Sequence, residues 1–164
     1  MPALSCIRPN DLAQPLNIRS AQAGDLNRCS ELLGQLAALE PVFLDDPAIR
    51  RKGLEALLAQ NDAVILLACL NQKIIGMLTC QIVISTAKGG LAGLVEDVVI
   101  DQPYRGQGYG SILLNALQTW AEKKGLLRLC LLAAPDNIAA QHFYLKHHWQ
   151  PGSMHAWYLG IDDE

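Results

Sequence analysis

Three glycines at alternate positions interrupt an otherwise apolar part of the chain, and they constrain the fold more than any other feature. They lie in the segment YRGQGYGS, residues 104–111, after the run LVEDVVID and before the run ILLNALQTWAEKKG. The first run is rich in β-branched residues, which favours a strand, and the second repeats apolar residues at helical spacing. The sequence therefore predicts a strand that turns through bare backbone into an amphipathic helix.

A strand, a glycine-rich turn and a helix in this order can bind an anion. The first N–H groups of a helix have no intrahelical partner and lie at the positive end of the helix dipole. Because glycine tolerates positive φ and close backbone approach, we interpret Gly106, Gly108 and Gly110 as a pyrophosphate cradle. It precedes the helix at Ser111, and Arg105 is an added charged donor. A tight connection without ligand stays open, since neither G-x-x-x-x-G-K-[ST] nor G-x-G-x-x-G is present.

The composition suits one globular domain of ordinary size. The chain has 164 residues, of which 51% are apolar and 18% charged. We expect residues 1–15, which are polar and proline-rich, to form a loose leader, and residues 16–164 to form one domain. The net charge of −3 and the lack of a basic run argue against nucleic acid as a partner.

The sequence also gives little support for a membrane-spanning helix or a metal site. The longest apolar run, Ala63–Leu70, is far shorter than the roughly 20 residues of a membrane helix. Five scattered cysteines without a C-x-x-C pair favour neither disulfides nor zinc, so we expect reduced, buried thiols in a cytoplasmic protein. We interpret His147 and His148 as a solvated helix end rather than metal ligands. The basic cluster at residues 50–52 is either a solvated face or a contact to an acidic substrate or to a phosphate group.

Periodicity and turn residues predict the order β-α-α-β-β-β-α-β-α-β, an α/β fold with a mixed, mostly antiparallel sheet flanked by helices. The predicted strands lie around Ile18 and over Ala63–Leu70, Lys73–Thr86, Leu91–Ile100, Leu126–Ala133 and Met154–Gly160. The predicted helices run from Leu26 to an end at Pro41, from the N-cap Asp46 to about Gln60, and over Ser111–Lys124 and Asp136–His147. Tight turns are predicted at Asn71-Gln72 and at Lys88-Gly89-Gly90.

Two motifs resemble those of the GNAT family of N-acetyltransferases. R-G-Q-G-Y-G, residues 105–110, is similar to the family signature Q/R-x-x-G-x-G/A. D-N-I-A-A-Q-H-F-Y-L-K-H-H-W, residues 136–149, is similar to N-x-x-A-x-x-F-Y-x-K-x-G-F, except that His148-Trp149 stands where Gly-Phe is usual. The resemblance covers roughly residues 17–160. It implies the family fold, transfer of an acetyl group from acetyl-coenzyme A to an amine, and no metal.

The resemblance also implies where the coenzyme binds. Pyrophosphate is expected on the loop 105–111, and the pantetheine arm along the backbone of the preceding strand, as in strand addition by a ligand. The residues expected to contact the coenzyme are Val98, Val99, Ile100, Arg105, Gly106, Gln107, Gly108, Tyr109, Gly110, Ser111, Asn137 and Tyr144. For Asn137 the alternative is that it only caps its helix.

Acetyl transfer needs a base and an acid, because an ammonium group must lose a proton and a thiolate must gain one. By the strand period of two we expect Glu96 and Asp97 on opposite faces, with one in the substrate cleft. We favour Glu96 as the base, directly or through water, and Asp97 as second choice; a structural role is the alternative for both. The resemblance implies that Tyr144 donates a proton to the thiolate, and a core aromatic is the alternative. Nothing beside Cys80 in sequence activates it, so we expect no covalent intermediate.

The sequence is compatible with several functions. The first expectation is acetylation of a primary amine of a small molecule. An N-acetyltransferase of proteins or peptides, a non-catalytic acyl-coenzyme A-binding regulatory module, and a structural domain with a tight glycine turn are the alternatives. Trp149 and Trp157 either contribute to a homodimer or lie in the core.

Overall fold

The structure is a computed structural model that describes residues 16–38 and 46–161. Its strands are β1 (Asn17–Ser20), β2 (Ala63–Leu70), β3 (Lys73–Ser85), β4 (Gly90–Ile100) and β5 (Leu129–Leu131). Its helices are α1 (Leu26–Ala37), α2 (Pro47–Leu58), α3 (Tyr109–Lys123) and α4 (Ile138–Lys146). Short 3-10 turns at Ala23–Asp25 and Gln102–Tyr104 precede α1 and the glycine turn.

One sheet joins the five described strands in the order β1-β2-β3-β4-β5. Neighbouring strands are antiparallel except for β4 and β5, which are parallel because α3 forms the crossover between them. The hairpin between β2 and β3 turns at Asn71 and Gln72 with φ of 51° and 64°, as a two-residue primed turn requires. The predicted mixed, mostly antiparallel sheet is confirmed.

An apolar layer covers each face of the sheet. Helices α1 and α2 pack on one face, where Leu32 and Leu54 are buried against the strands. Helix α3 packs on the other face through Leu113 and Leu117, and α4 adds Phe143 there. β2 is buried on both faces, which is why its sequence is a continuous apolar run.

The C-terminal part of the chain differs from the prediction. The strand predicted over Leu126–Ala133 is regular only over Leu129–Leu131. The strand predicted over Met154–Gly160 is wrong, because residues 151–161 are exposed and have no regular secondary structure. A strand needs a neighbouring strand to satisfy its N–H and C=O groups. The five-stranded sheet includes none of residues 151–161, so this segment lacks such a neighbour.

Some predictions lie outside the described residues. These are the leader at residues 1–15 and the helix end at Pro41. The assignment of residues 16–164 to one domain stays a prediction. None of the described helices combines the length and the apolar character needed to cross a membrane.

Candidate active site

A β-bulge in β4 brings two carboxylates to one face of the sheet. The register pairs Thr79 with Glu96 but Met77 with Val99, so β4 has one extra residue between these pairs. Asp97 lies in this interval with φ 56°, a left-handed conformation. The expectation that Glu96 and Asp97 face opposite sides is therefore wrong, because the extra residue breaks the period of two.

Both carboxylates line a cavity of about 440 Å³ between the sheet and helices α1 and α2. The Thr79 hydroxyl donates to Asp97 Oδ2 at 2.9 Å, and the Gln81 amide donates to Glu96 at 3.4 Å. Thr79 and Gln81 are two residues apart on β3 and so share a face. The remaining lining residues, most of them apolar, are Leu33, Arg50, Gly53, Leu54, Ala56, Leu57 and Gln60.

Glu96 has the properties of a proton acceptor. Partial burial raises the pKa of its carboxyl, and the neighbouring charge of Asp97 raises it further. The residue is also exposed to solvent, although it lines the cavity. A carboxylate with a raised pKa takes a proton more readily, so Glu96 suits a general base and Asp97 an electrostatic partner.

The basic cluster at residues 50–52 is divided between two environments. Arg50 lines the cavity, and its guanidinium lies 3.2 Å from where a Cβ would be on Gly34 of α1. Arg51 pairs with Glu55 at 2.8 Å and also donates to Asn27. A contact to an acidic substrate therefore stays a prediction for Arg50, whereas Arg51 is engaged on the surface of α2.

On its other edge, β4 extends beyond its parallel neighbour. β5 pairs with β4 only from Gly93 to Val95, so within the described chain residues 96–100 have no strand on that side. The Asp101 N–H donates to β3 at 2.8 Å, and by strand alternation the backbone groups of Val98 and Ile100 point to the open side. The Ile100 carbonyl accepts a bond of 2.8 Å from Arg105 Nε. Backbone of this kind can pair with an extended ligand.

The glycine turn has the geometry of an anion cradle. Gly106 and Gly108 have φ of 73° and 86°, and the space where a Cβ would lie is open at both. Gly108 is the N-cap of α3, so the N–H groups of Tyr109 and Gly110 lie in the first turn, where no intrahelical acceptor is available. Gly110 allows close packing instead, because a Cβ there would lie 3.1 Å from the Phe143 ring.

Two side chains of the turn are bonded to the protein itself. Arg105 donates to the Ile100 carbonyl and, at 3.3 Å, to the Gln35 amide oxygen. Gln107 donates to the Pro103 carbonyl at 3.0 Å. These bonds fix the shape of the turn, and a role of either side chain as a donor to a coenzyme stays a prediction.

A polar network between α1 and the end of β4 was missed from the sequence. Asp101 is only 7% exposed and accepts bonds from Arg28 at 2.5 Å and from Gln35 at 2.8 Å. Burial raises the pKa of Asp101, but the Gln35 bond and the Arg28 charge outweigh it, so the pKa is lowered. Gln35 also accepts from the Gln102 N–H, which fixes the entry to the glycine turn. The sequence does contain a signal for this network: by their helical spacing, Arg28 and Gln35 lie on the same face of α1 as the buried Leu32.

Tyr144 lies on the opposite face of the sheet from the two carboxylates. The centroid of its half-buried ring lies 5.4 Å from the ring centroid of Phe143 and 5.8 Å from the ring centroid of Trp149. It belongs to the same apolar layer as Val98 and Ile100. The open edge of β4 is therefore the place where groups from the two faces can meet, and the proposed acid role of Tyr144 stays a prediction.

Comparison with known proteins decides the family. A model of the acetyltransferase (GNAT) family matches residues 31–149. The chain belongs to the GNAT family. It is 29% identical over 134 residues to glucosamine 6-phosphate N-acetyltransferase of Trypanosoma brucei brucei, which covers 80% of this chain and 86% of that protein. It is 38% identical over 61 residues to streptothricin acetyltransferase A of Bacillus subtilis (strain 168), but this segment covers 37% of the chain and only 35% of that relative.

A solved structure supports the GNAT fold. A possible acetyltransferase from Clostridium difficile 630 superposes with a TM-score of 0.80 at 19% identity, over 92% of this chain and 100% of that one. At this identity the likeness concerns the fold, and it agrees with the mixed sheet flanked by helices described above.

The second GNAT motif shows three local outcomes. Asn137 caps α4, since its side chain accepts from the Ala140 N–H at 3.1 Å; a coenzyme contact stays a prediction. His148 stands where the motif usually has glycine, and its backbone adopts a left-handed conformation with φ 64°. The view of His147 as solvated is wrong, because it is half-buried and its Nε2 lies 2.8 Å from Ser111 Oγ.

The surroundings of Cys80 do not favour a nucleophilic thiolate. It is buried, and burial, followed by the influence of Cys130, raises its pKa to about 12. The thiol is therefore protonated at neutral pH, as expected for a buried cysteine. Among residues 16–38 and 46–161, no three His, Cys, Asp or Glu side chains form a group that could hold a metal ion.

Proposed function

We propose that this chain is an acetyl-coenzyme A-dependent N-acetyltransferase that acetylates a primary amine of a small molecule by direct attack in a ternary complex. One observation carries the proposal. On β4, Glu96 and Asp97 line a cavity on one face of the sheet, while the strand edge beside them has no strand neighbour in the described chain. A thioester held along that edge would lie next to an amine held in the cavity.

The open edge and the glycine turn suit the coenzyme. The N–H groups of Tyr109 and Gly110 and the open space at Gly106 and Gly108 suit a pyrophosphate. The backbone of Val98 suits an extended amide-containing arm. The bound coenzyme supplies the acetyl group as an activated thioester.

The two carboxylates prepare the amine for attack. An alkyl ammonium with an ordinary pKa near 10.4 is neutralised at pH 7 at a cost of about 4–5 kcal/mol. Asp97 favours binding of the cation, and Glu96 takes its proton directly or through water. The nitrogen lone pair would then attack the thioester carbonyl, and the C–S bond would break as the nitrogen loses its second proton to solvent. Tyr144 would donate a proton to the departing thiolate and recover one from solvent.

The size of the cavity favours a small acceptor. Its volume of about 440 Å³ lies within the range of roughly 300–1,000 Å³ that is usual for small-molecule sites. The names of two relatives, a streptothricin acetyltransferase and a glucosamine 6-phosphate N-acetyltransferase, agree with an acceptor of this class.

Initial-rate kinetics with a panel of small amines and peptides, read out by release of coenzyme A thiol, test this proposal. We expect intersecting double-reciprocal lines with a small amine, and a kcat/KM about 10²–10³-fold lower for Glu96→Gln with unchanged coenzyme affinity. Turnover of peptides alone would contradict the small-molecule acceptor. Coenzyme binding without turnover of any amine would favour a regulatory module, and no binding at millimolar coenzyme would overturn the whole proposal.

We further propose a homodimer in which the C-terminal segment packs on a second copy. Met154, Trp157, Leu159 and Ile161 are 81–93% exposed, whereas Trp149 packs on Tyr144. Such side chains cover on the order of 800 Å² per copy together with their neighbours, which is one side of a standard interface. Sedimentation of wild-type protein and Trp157→Ser over a range of protein concentrations tests this. We expect a dimer that the substitution weakens, and a wild-type protein that stays monomeric at the highest concentration would contradict the proposal.

We also propose a reducing, cytoplasmic location. The support is that Cys29, Cys69, Cys80 and Cys130 are all free thiols in the described chain. Cell fractionation tests this, and recovery of the protein outside the cytoplasm would contradict it.

A further inference from the structure

A hydrogen bond joins the helix of the second motif to the glycine turn. His147 Nε2 lies 2.8 Å from Ser111 Oγ, and Ser111 is the third residue of α3. We propose that His147 is a positioning residue for coenzyme binding, which holds the Ser111 hydroxyl so that it donates its proton to the pyrophosphate. This inference rests on the coenzyme site proposed above.

The proton count at Ser111 makes the two contacts interdependent. A serine hydroxyl has one proton to donate and two lone pairs that accept. If His147 Nε2 lacks a hydrogen, Ser111 must donate to it and has no proton left for an anion. If Nε2 carries a hydrogen, Ser111 accepts from it and its own proton is available. An anion on the turn therefore selects the Nε2–H form of His147, and by reciprocity that form strengthens anion binding.

Packing around His147 fixes the geometry of this bond. The Phe143 ring, one helical turn earlier on α4, lies edge-on to the imidazole with centroids 4.9 Å apart. The same ring contacts Gly110, where a Cβ would lie 3.1 Å away. Helix α4 and its C-cap residue His147 thus contact the first turn of α3 at two consecutive residues, Gly110 and Ser111. Because Tyr144 follows Phe143, the same helix positions the proposed acid and, through His147, the Ser111 hydroxyl that donates to the phosphate.

Coenzyme A binding by calorimetry tests the inference with four variants, the last a double variant, whose folding is checked by thermal unfolding. In His147→Gln the amide can still donate to Ser111, whereas in His147→Phe the ring is kept but the donor is lost. We expect Gln within about 3-fold of wild type and Phe weaker by roughly 5–20-fold, the effect of one hydrogen bond. In a Ser111→Ala background, His147→Phe should have no further effect, because the hydroxyl that it positions is absent.

A spectroscopic measurement on the wild-type protein does not depend on any variant folding. Nitrogen NMR distinguishes protonated from unprotonated imidazole nitrogens, and we expect His147 Nε2 to be protonated when coenzyme A is bound. An unprotonated Nε2 in the complex, or equal affinity of wild type and His147→Phe, would overturn the inference while leaving the proposed function intact. A wild-type protein that does not bind coenzyme A would overturn both.

Discussion

Asp97 accepts a 2.9 Å hydrogen bond from the Thr79 hydroxyl while its own backbone lies in the left-handed region at φ 56°. Thr79 is 1% exposed and fixed within β3, so the bond directs the Asp97 carboxylate into the cavity. Left-handed backbone at a non-glycine residue costs free energy, and it persists where the surroundings determine the conformation. The bulge is thus the local device that places a second charge beside Glu96.

Removing that charge should change the pH dependence of catalysis. The Asp97 charge contributes to the raised pKa of Glu96, so Asp97→Asn should lower this pKa. A base must be deprotonated to act, and the acidic limb of the kcat/KM profile should therefore move to lower pH. Asparagine tolerates left-handed backbone and can still accept from Thr79, so the thermal midpoint should change little.

The control for this prediction is Glu96→Gln, which should remove the acidic limb rather than move it. An Asp97→Asn profile that coincides with the wild-type profile would show that Glu96 is not the group that titrates.

Local features of the fold were predictable from the sequence, and the site was only partly so. The Asn71-Gln72 turn and the glycine turn depend on neighbouring residues, and both are present in the structure. The common face of Glu96 and Asp97 was not predictable, because the extra residue in β4 shows only in the pairing with β3. The Ser111–His147 bond joins residues 36 positions apart and depends on how α3 and α4 pack.

His148 should be a site where glycine stabilises the protein. Its φ of 64° is unfavourable for a residue with a Cβ, whereas glycine adopts it freely. After allowing for the greater freedom of glycine in the unfolded chain, we expect His148→Gly to add about 0.5–1 kcal/mol, or about 1–4 °C in thermal midpoint. His155→Gly, in the exposed C-terminal segment, is the matched control and should not stabilise. A lower midpoint for His148→Gly would mean that its side chain contributes more than the strain costs.

Gly108 should tolerate alanine poorly although space is available. With φ 86° a Cβ meets its own backbone rather than a neighbour, so we expect Gly108→Ala to destabilise by roughly 1–2 kcal/mol. It should also weaken coenzyme A binding, since relaxation of the strain would reorient the first turn of α3. Gly24→Ala is the control, because Gly24 also has open space but no positive φ, and it should be neutral or slightly stabilising. Denaturant unfolding and calorimetry measure both effects, and equal stability of the two variants would contradict the argument.

The Asp101–Arg28 pair should make the stability of the protein depend on acid pH. Because the pKa of Asp101 is lowered by folding, its contribution is present above the unfolded pKa near 3.9 and is lost as pH falls through the folded pKa. We expect Asp101→Asn to lower the free energy of unfolding by about 2–3 kcal/mol at pH 7. This loss is smaller than for a fully buried ion pair, because Arg28 keeps its ion pair with Glu31. Urea unfolding at several pH values should show this difference shrinking below about pH 4. Asp62→Asn, in an exposed turn, should show no such difference. A constant penalty for Asp101→Asn at every pH would mean that the network depends on shape and not on charge.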